Sequence, residues 1–213
     1  LEQINAISRR TQKMVADQYS IYLRELEPHL AEAGIRRRRP GELNDRQIDF
    51  VDTVFQEQIQ AVLTPIAVHD PARFPLLFGR TVNVAVQLKG KTETEPFRFA
   101  VIPFGRFDLR YITLPSVGGY EFILTEDAIA LMAARFFPGE DIVATVPFRV
   151  TRNADLSVSD DDGADLLAEM EDVLDYRKDS FCTRLEVSDL VTRPILEFLK
   201  ALLRVGERDI YMV

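Results

Sequence analysis

Apolar residues recur at helical spacing from Leu1 to Ala33, through Ile4, Ile7, Met14, Val15, Tyr19, Tyr22, Leu26 and Leu30. That stripe predicts one long amphipathic helix. Pro28 lacks an N–H and crowds the preceding turn, so a kink or restart is expected there, with Gly34 as the C-terminal cap. A basic extended stretch, Arg36 to Arg39, runs into Pro40. Asn44 then reads as an N-cap with Gln47 three residues on, as in a capping box. The second helix carries Ile48, Val51, Phe55, Ile59 and Val62 on one face and stops before Pro65. Two striped helices on a short connection predict an antiparallel hairpin, part of a helical bundle.

After Thr64 the period changes. Thr81 to Leu88 alternates, with Val82, Val84, Val86 and Leu88 on one face and Thr81, Asn83 and Gln87 on the other, which predicts a half-buried strand. Lys89-Gly90-Lys91 reads as a turn. Phe97, Phe99 and Val101 begin a second strand, and Arg110 to Leu114 form a third. Thr125 is expected to cap a helix whose first turn holds Glu126 and Asp127, favourable beside the helix dipole, and which Pro138-Gly139 ends. The last third predicts strand Thr145–Val150, helix Asp161–Tyr176, strand Arg184–Val187, helix Thr192–Arg204 and strand Ile210–Val213. This order argues for an α+β protein: a helical hairpin in residues 1–63, then a mixed sheet covered by helices in residues 64–213.

Composition narrows the function classes. With 213 residues, 46% hydrophobic and 28% charged, the chain can bury a core. A net charge of −8 argues against nucleic-acid binding and requires any polyanion to meet a local basic patch. No apolar run reaches the roughly 20 residues of a membrane span, and no signal-peptide core is present, so a cytoplasmic location is expected. The single cysteine, Cys182, excludes an intrachain disulfide. The stripe already runs at Leu1, where a complete protein would start with methionine; a piece of a longer chain is expected.

Catalytic constellations are missing from the sequence. His29, His69 and Cys182 stand in no metal-ligand spacing, and no metal site is assigned. His69-Asp70 are neighbours whose side chains point apart, and no serine or cysteine motif completes a triad. Gly118-Gly119 lacks the spacing of a phosphate loop. Asp160-Asp161-Asp162 reads as a helix start rather than a cation site. Arg36-Arg37-Arg38-Arg39 could fork onto phosphate but reads more simply as an ion-pair set, since alternate side chains of an extended segment diverge. Arg149 and Arg152, just after an apolar strand, are the candidates for facing phosphate.

Several segments, taken in order, carry a resemblance. They are Pro40-Gly41-Glu42-Leu43, Leu63-Thr64-Pro65-Ile66-Ala67-Val68, Phe74-Pro75-Leu76-Leu77, Arg80-Thr81-Val82-Asn83-Val84-Ala85-Val86, Phe136-Phe137-Pro138-Gly139 and Pro147-Phe148-Arg149-Val150-Thr151-Arg152-Asn153-Ala154-Asp155-Leu156. Together they resemble polyphosphate kinase of the histidine-phosphorylating family, at the end of its first domain and through its second. The sequence departs from the family pattern at Phe104-Gly105-Arg106-Phe107-Asp108. The resemblance implies reversible transfer of the terminal phosphoryl of ATP to polyphosphate through a phosphohistidine. It also implies four domains, magnesium, and dimerisation through the second domain, with the intact enzyme cytoplasmic or peripheral to the membrane. The nucleophilic histidine of the family lies in later domains, so no catalytic residue is assigned here. The competing reading is a stand-alone interaction or regulatory module of the same fold. A hydrolase centred on His69 is weaker, for want of a partnered nucleophile.

Overall fold

A computed structural model describes residues 2–93, 95–104, 109–153 and 181–213. Helix α1, Glu2–Ile21, runs through a π turn at Tyr22–Leu26 into α2, Glu27–Glu32. The wide turn, closed by the Glu27 N–H on the Tyr22 carbonyl, falls just before Pro28. There an α-helix would press the proline ring on the Arg24 carbonyl, so the expected interruption takes the form of a π turn and the helix continues. Gly34 ends it at φ +86°, a backbone angle that favours glycine.

Strand β1, Ile35–Arg37, precedes α3, Asp45–Val54, which continues as a π turn over Phe55–Ile59. The Asn44 side chain accepts from the Gln47 N–H and the Gln47 side chain accepts from the Asn44 N–H, completing the expected capping box. Val51, Phe55, Ile59 and Leu63 are buried, while Val62 is exposed. Residues four apart stay aligned because the π turn widens the spiral, and so Leu63 replaces Val62 on the buried face.

The remaining elements are β2 (Ile66–Val68), β3 (Thr81–Lys89), β4 (Phe97–Pro103), β5 (Tyr111–Leu114), β6 (Tyr120–Leu124), α4 (Thr125–Leu131), β7 (Ile142–Arg152), β8 (Cys182–Val187), α5 (Arg193–Leu203) and β9 (Ile210–Met212). Six strands form one sheet in the order β2-β4-β3-β7-β8-β9, antiparallel except for the parallel pair β8–β9 joined through α5. A second sheet has the order β1-β6-β5, with β1 parallel to β6. The α+β class and the mixed sheet are thus as expected. The helix expected over Asp161–Tyr176 lies outside the described residues.

Strand β3 is central and buried on both faces from Asn83 to Leu88. Val84, Val86 and Leu88 enter one apolar core with Val51, Phe55 and Ile59 of the α3 segment and with Ile123 and Ile129. Ala85 enters a second core with Phe148, Val150, Leu185, Ile195 and Leu199. The face expected to be polar is therefore covered by α5: Gln87 is buried, and its Oε1 accepts from the Thr192 hydroxyl. The Thr125 hydroxyl bonds the Leu109 carbonyl and does not cap α4.

The first two helices are not joined through the apolar core that α3 enters. No residue of α1 or α2 belongs to the core that the α3 segment enters. The sheet offers α3 a broader apolar surface than a single helix could. Helix α1 instead docks through polar groups: Ser8 Oγ donates to the Arg208 carbonyl at 2.7 Å and Gln12 Nε2 to that of Ile210 at 3.1 Å. Val15 is its buried residue, and Ile4, Ile7 and Met14 are exposed.

Candidate functional site around strand β7

Strand β7 lies between β3 and β8, with Arg149 opposite Val82 on one side and Glu186 on the other. Strand alternation then sets the geometry. Arg149 projects on the face of the first core. Arg152, three residues on, projects on the opposite face with Val150 and Cys182. The two arginines singled out by the sequence are therefore not brought together.

Arg149 donates through Nε and through Nη2, the latter at 2.6 Å, to the carboxylate of Glu186. Arg184 adds a bond at 2.5 Å, and its guanidinium stands 4.3 Å from the centre of the Tyr211 ring. Glu186, only 3% exposed, is thus a buried carboxylate between two arginines. On the other face, Arg152 Nε donates to the Leu77 carbonyl at 2.7 Å, and Gly79 packs on its backbone. Burial lowers the Arg152 pKa from its ordinary value.

Three arginines of the basic run, Arg37, Arg38 and Arg39, are ion-paired. Arg37 meets Asp127 at 2.9 Å, Arg38 forks onto Glu121, and Arg39 meets Glu27 at 2.7 Å. Gln47 Nε2 also donates to Glu121 at 2.8 Å, tying β6 to the start of α3. His29 and His69 are exposed. The Asp70 carboxylate accepts from the Ala72 N–H at 2.9 Å and pairs with Arg73 at 3.6 Å. Among the described residues no three His, Cys, Asp or Glu side chains lie close enough to hold a metal ion. No described helix is long and apolar enough to cross a membrane.

Sequence reasoning missed Glu186. No local signal marked it: Glu186 alternates with Leu185 and Val187, which enter the second core, so the sequence pattern reads it as a solvated position on the opposite face. Burial raises its pKa, but the hydrogen bond from Arg149 and the charges of both arginines outweigh it, and the net shift is downward. A carboxyl with a depressed folded pKa contributes stability that is complete above the unfolded value, about 4.3, and lost as pH falls through the folded one. Glu186→Gln is therefore expected to lower stability at pH 7 and to flatten its decline below pH 4. Urea midpoints at both pH values measure this; identical curves for the two proteins would refute the role assigned to Glu186.

Comparison with known proteins follows the same outline. Residues 46–213 match the polyphosphate kinase middle domain. A polyphosphate kinase of Halalkalibacterium halodurans is 34% identical over 212 residues, covering 99% of this chain and 30% of that protein. One of Mycolicibacterium gilvum is 37% identical over 217 residues, covering the whole chain and 30% of the relative. The crystal structure of polyphosphate kinase from Porphyromonas gingivalis superposes with a TM-score of 0.77 at 20% identity, over 99% of this chain and 30% of that one. The chain thus spans about a third of the length of these relatives.

Proposed function

Because the chain belongs to the polyphosphate kinase family, through that family's middle domain, we propose that it forms a positioning, non-nucleophilic part of an enzyme that reversibly transfers the terminal phosphoryl of ATP to polyphosphate. The observation that carries this reading is the match over residues 46–213. Phosphoryl transfer demands a positioned acceptor, a charge-stabilising environment and a nucleophile. The helices and the two-sided sheet supply rigid positioning. The ionisable groups described above are committed largely to one another. Magnesium would accompany ATP in the intact enzyme; the described residues offer no cluster suited to it, and no step is assigned to it here.

Residues 1–63 form the helical portion in this proposal and residues 64–213 the α+β portion, with the buried α3 segment as the seam between them. Partners are the other domains of the enzyme, its substrates ATP and polyphosphate, and a second copy of the chain. The exposed apolar residues of α1 support self-association. Sedimentation at rising concentration should show it, and a constant monomer mass would exclude it.

Arg149 and Arg152 remain the candidates for facing phosphate, now as separate groups on opposite faces. A phosphate at Arg149 would compete with Glu186 for its donors. Arg152, whose Nε donates to the Leu77 carbonyl, gives a second and separate test. In the intact enzyme Arg152→Ala is expected to cut turnover by at least about tenfold. Loss of the bond to the Leu77 carbonyl should by itself cost about 1 kcal/mol of stability and lower Tm. Unchanged turnover with a lowered Tm would place Arg152 in the scaffold instead.

A further inference from the structure

The second sheet ends at β5, which has β6 on one side and no described strand on the other. Main-chain bonds elsewhere in that sheet fix which way its groups point. The Tyr120 N–H donates to the Gly34 carbonyl and the Arg38 N–H to the Phe122 carbonyl, each at 2.7 Å, so Tyr120 and Phe122 turn toward β1. Neighbouring residues of a strand turn their N–H and C=O to opposite sides. Glu121 and Ile123 therefore turn toward β5, where they meet Leu114 and Ile112. The Thr125 N–H on the Arg110 carbonyl, at 3.1 Å, continues that series. Tyr111 and Thr113 are left with N–H and C=O directed at the outer edge, and among the described residues nothing bonds them there.

Proteins ordinarily blunt such an edge with lysine, proline, a bulge or a covering element. The edge at β9 is attended in this way, since Gln12 of α1 bonds the Ile210 carbonyl. Tyr111-Ile112-Thr113-Leu114 has neither charge nor proline, and its register with β6 runs without a shift. Beside it a groove of about 500 Å³ opens between Phe50, Val54 and Gln58 of the α3 segment and residues 109–113. Phe50 and Tyr111 are exposed there.

We propose that this edge pairs with the same edge of a second copy, antiparallel about a two-fold axis through Ile112, so that the two three-stranded sheets become one. The open groups are self-complementary about that residue. The axis sets Tyr111 of each chain opposite Thr113 of the other, and each such pair exchanges both of its N–H···O=C bonds. The same register places Ile112 opposite Ile112 and Arg110 opposite Leu114, so no like charges meet. Tyrosine opposite threonine on the outer face is a favourable cross-strand pair. The axis stands perpendicular to the sheet, which keeps both α3 segments on the Ile112 face and brings the two grooves, with Phe50, together. The second copy supplies this matching strand from the chain's own sequence, which a foreign peptide would have to imitate. The surface is distinct from the exposed face of α1.

The test follows amide exchange and sedimentation of the 213-residue chain as its concentration rises into the millimolar range. On dimerisation the Tyr111 and Thr113 amides are expected to slow at least tenfold, while those of Ile112 and Leu114, already directed at β6, change less than threefold. Thr113→Pro removes the outward N–H, which an edge position tolerates, and is expected to weaken dimerisation at least tenfold. Thr113→Val keeps that N–H and, like the proline variant, loses the hydroxyl contact with Tyr120. It is expected to stay within threefold of the unmodified protein. A constant monomer mass, or a dimer whose Tyr111 and Thr113 amides exchange at the dilute rate, overturns the proposal in the unmodified protein alone, even if the proline variant does not fold. Undiminished association of a folded proline variant overturns it too and leaves association to another face. Protection of those amides only by an added synthetic peptide of residues 109–115 gives the edge to a separate strand and likewise overturns the pairing of copies.

Discussion

Replacing Phe55 by alanine is expected to lower the free energy of unfolding by about 3–5 kcal/mol. The side chain is fully buried in the core between the α3 segment and the sheet, and its ring meets Phe136 edge to face at 5.3 Å. Truncation removes both the apolar burial and the edge-to-face contact. The surroundings cannot collapse onto the cavity, because Val51 and Ile59 are held by the helix and Val84 and Val86 by the centre of a six-stranded sheet. Deleting residues 2–33 makes the contrasting case. That segment buries Val15 and otherwise docks by hydrogen bonds and ion pairs, such as Ser8 to Arg208 and Arg39 to Glu27. Exposed or half-exposed pairs of this kind contribute little each. The deletion is expected to cost less stability than the single substitution at Phe55. Urea unfolding of the three proteins decides the matter. A loss below about 1 kcal/mol for Phe55→Ala would show that α3 is not part of the core.

Much of the fold was legible because it follows from local pattern. The Asn44–Gln47 capping box, the cap at Gly34, and strands β3, β8 and β9 are each announced by a few adjacent residues. Strands β2 and β6 were not, since three or five residues of mixed polarity carry too short a period to separate from loop. The partner of α3 was also hidden. A stripe shows that a face must be buried, but not whether another helix or a sheet buries it. Gln87 and Asn83 misled for a related reason: alternation read as one wet face, whereas α5, far along the chain, covers that face. Arg149 and Arg152 were visible as residues near one another in sequence. Their separation to opposite faces follows from strand parity, and the pairing of Arg149 depends on Glu186, which is 37 residues away in sequence.

The central claim is that this chain positions and does not itself transfer phosphoryl groups. A phosphohistidine route needs an imidazole held beside the γ-phosphate with its charge stabilised. Both histidines of the sequence are exposed. His69 sits in a loop where Asp70 is engaged by Ala72 and Arg73, and His29 lies in α2. The direct measurement is ATP-dependent polyphosphate synthesis by the purified 213-residue chain, beside its His69→Ala variant. The expected result is synthesis at the level of the enzyme-free blank for both. Robust synthesis by the chain, abolished by His69→Ala, would contradict the account.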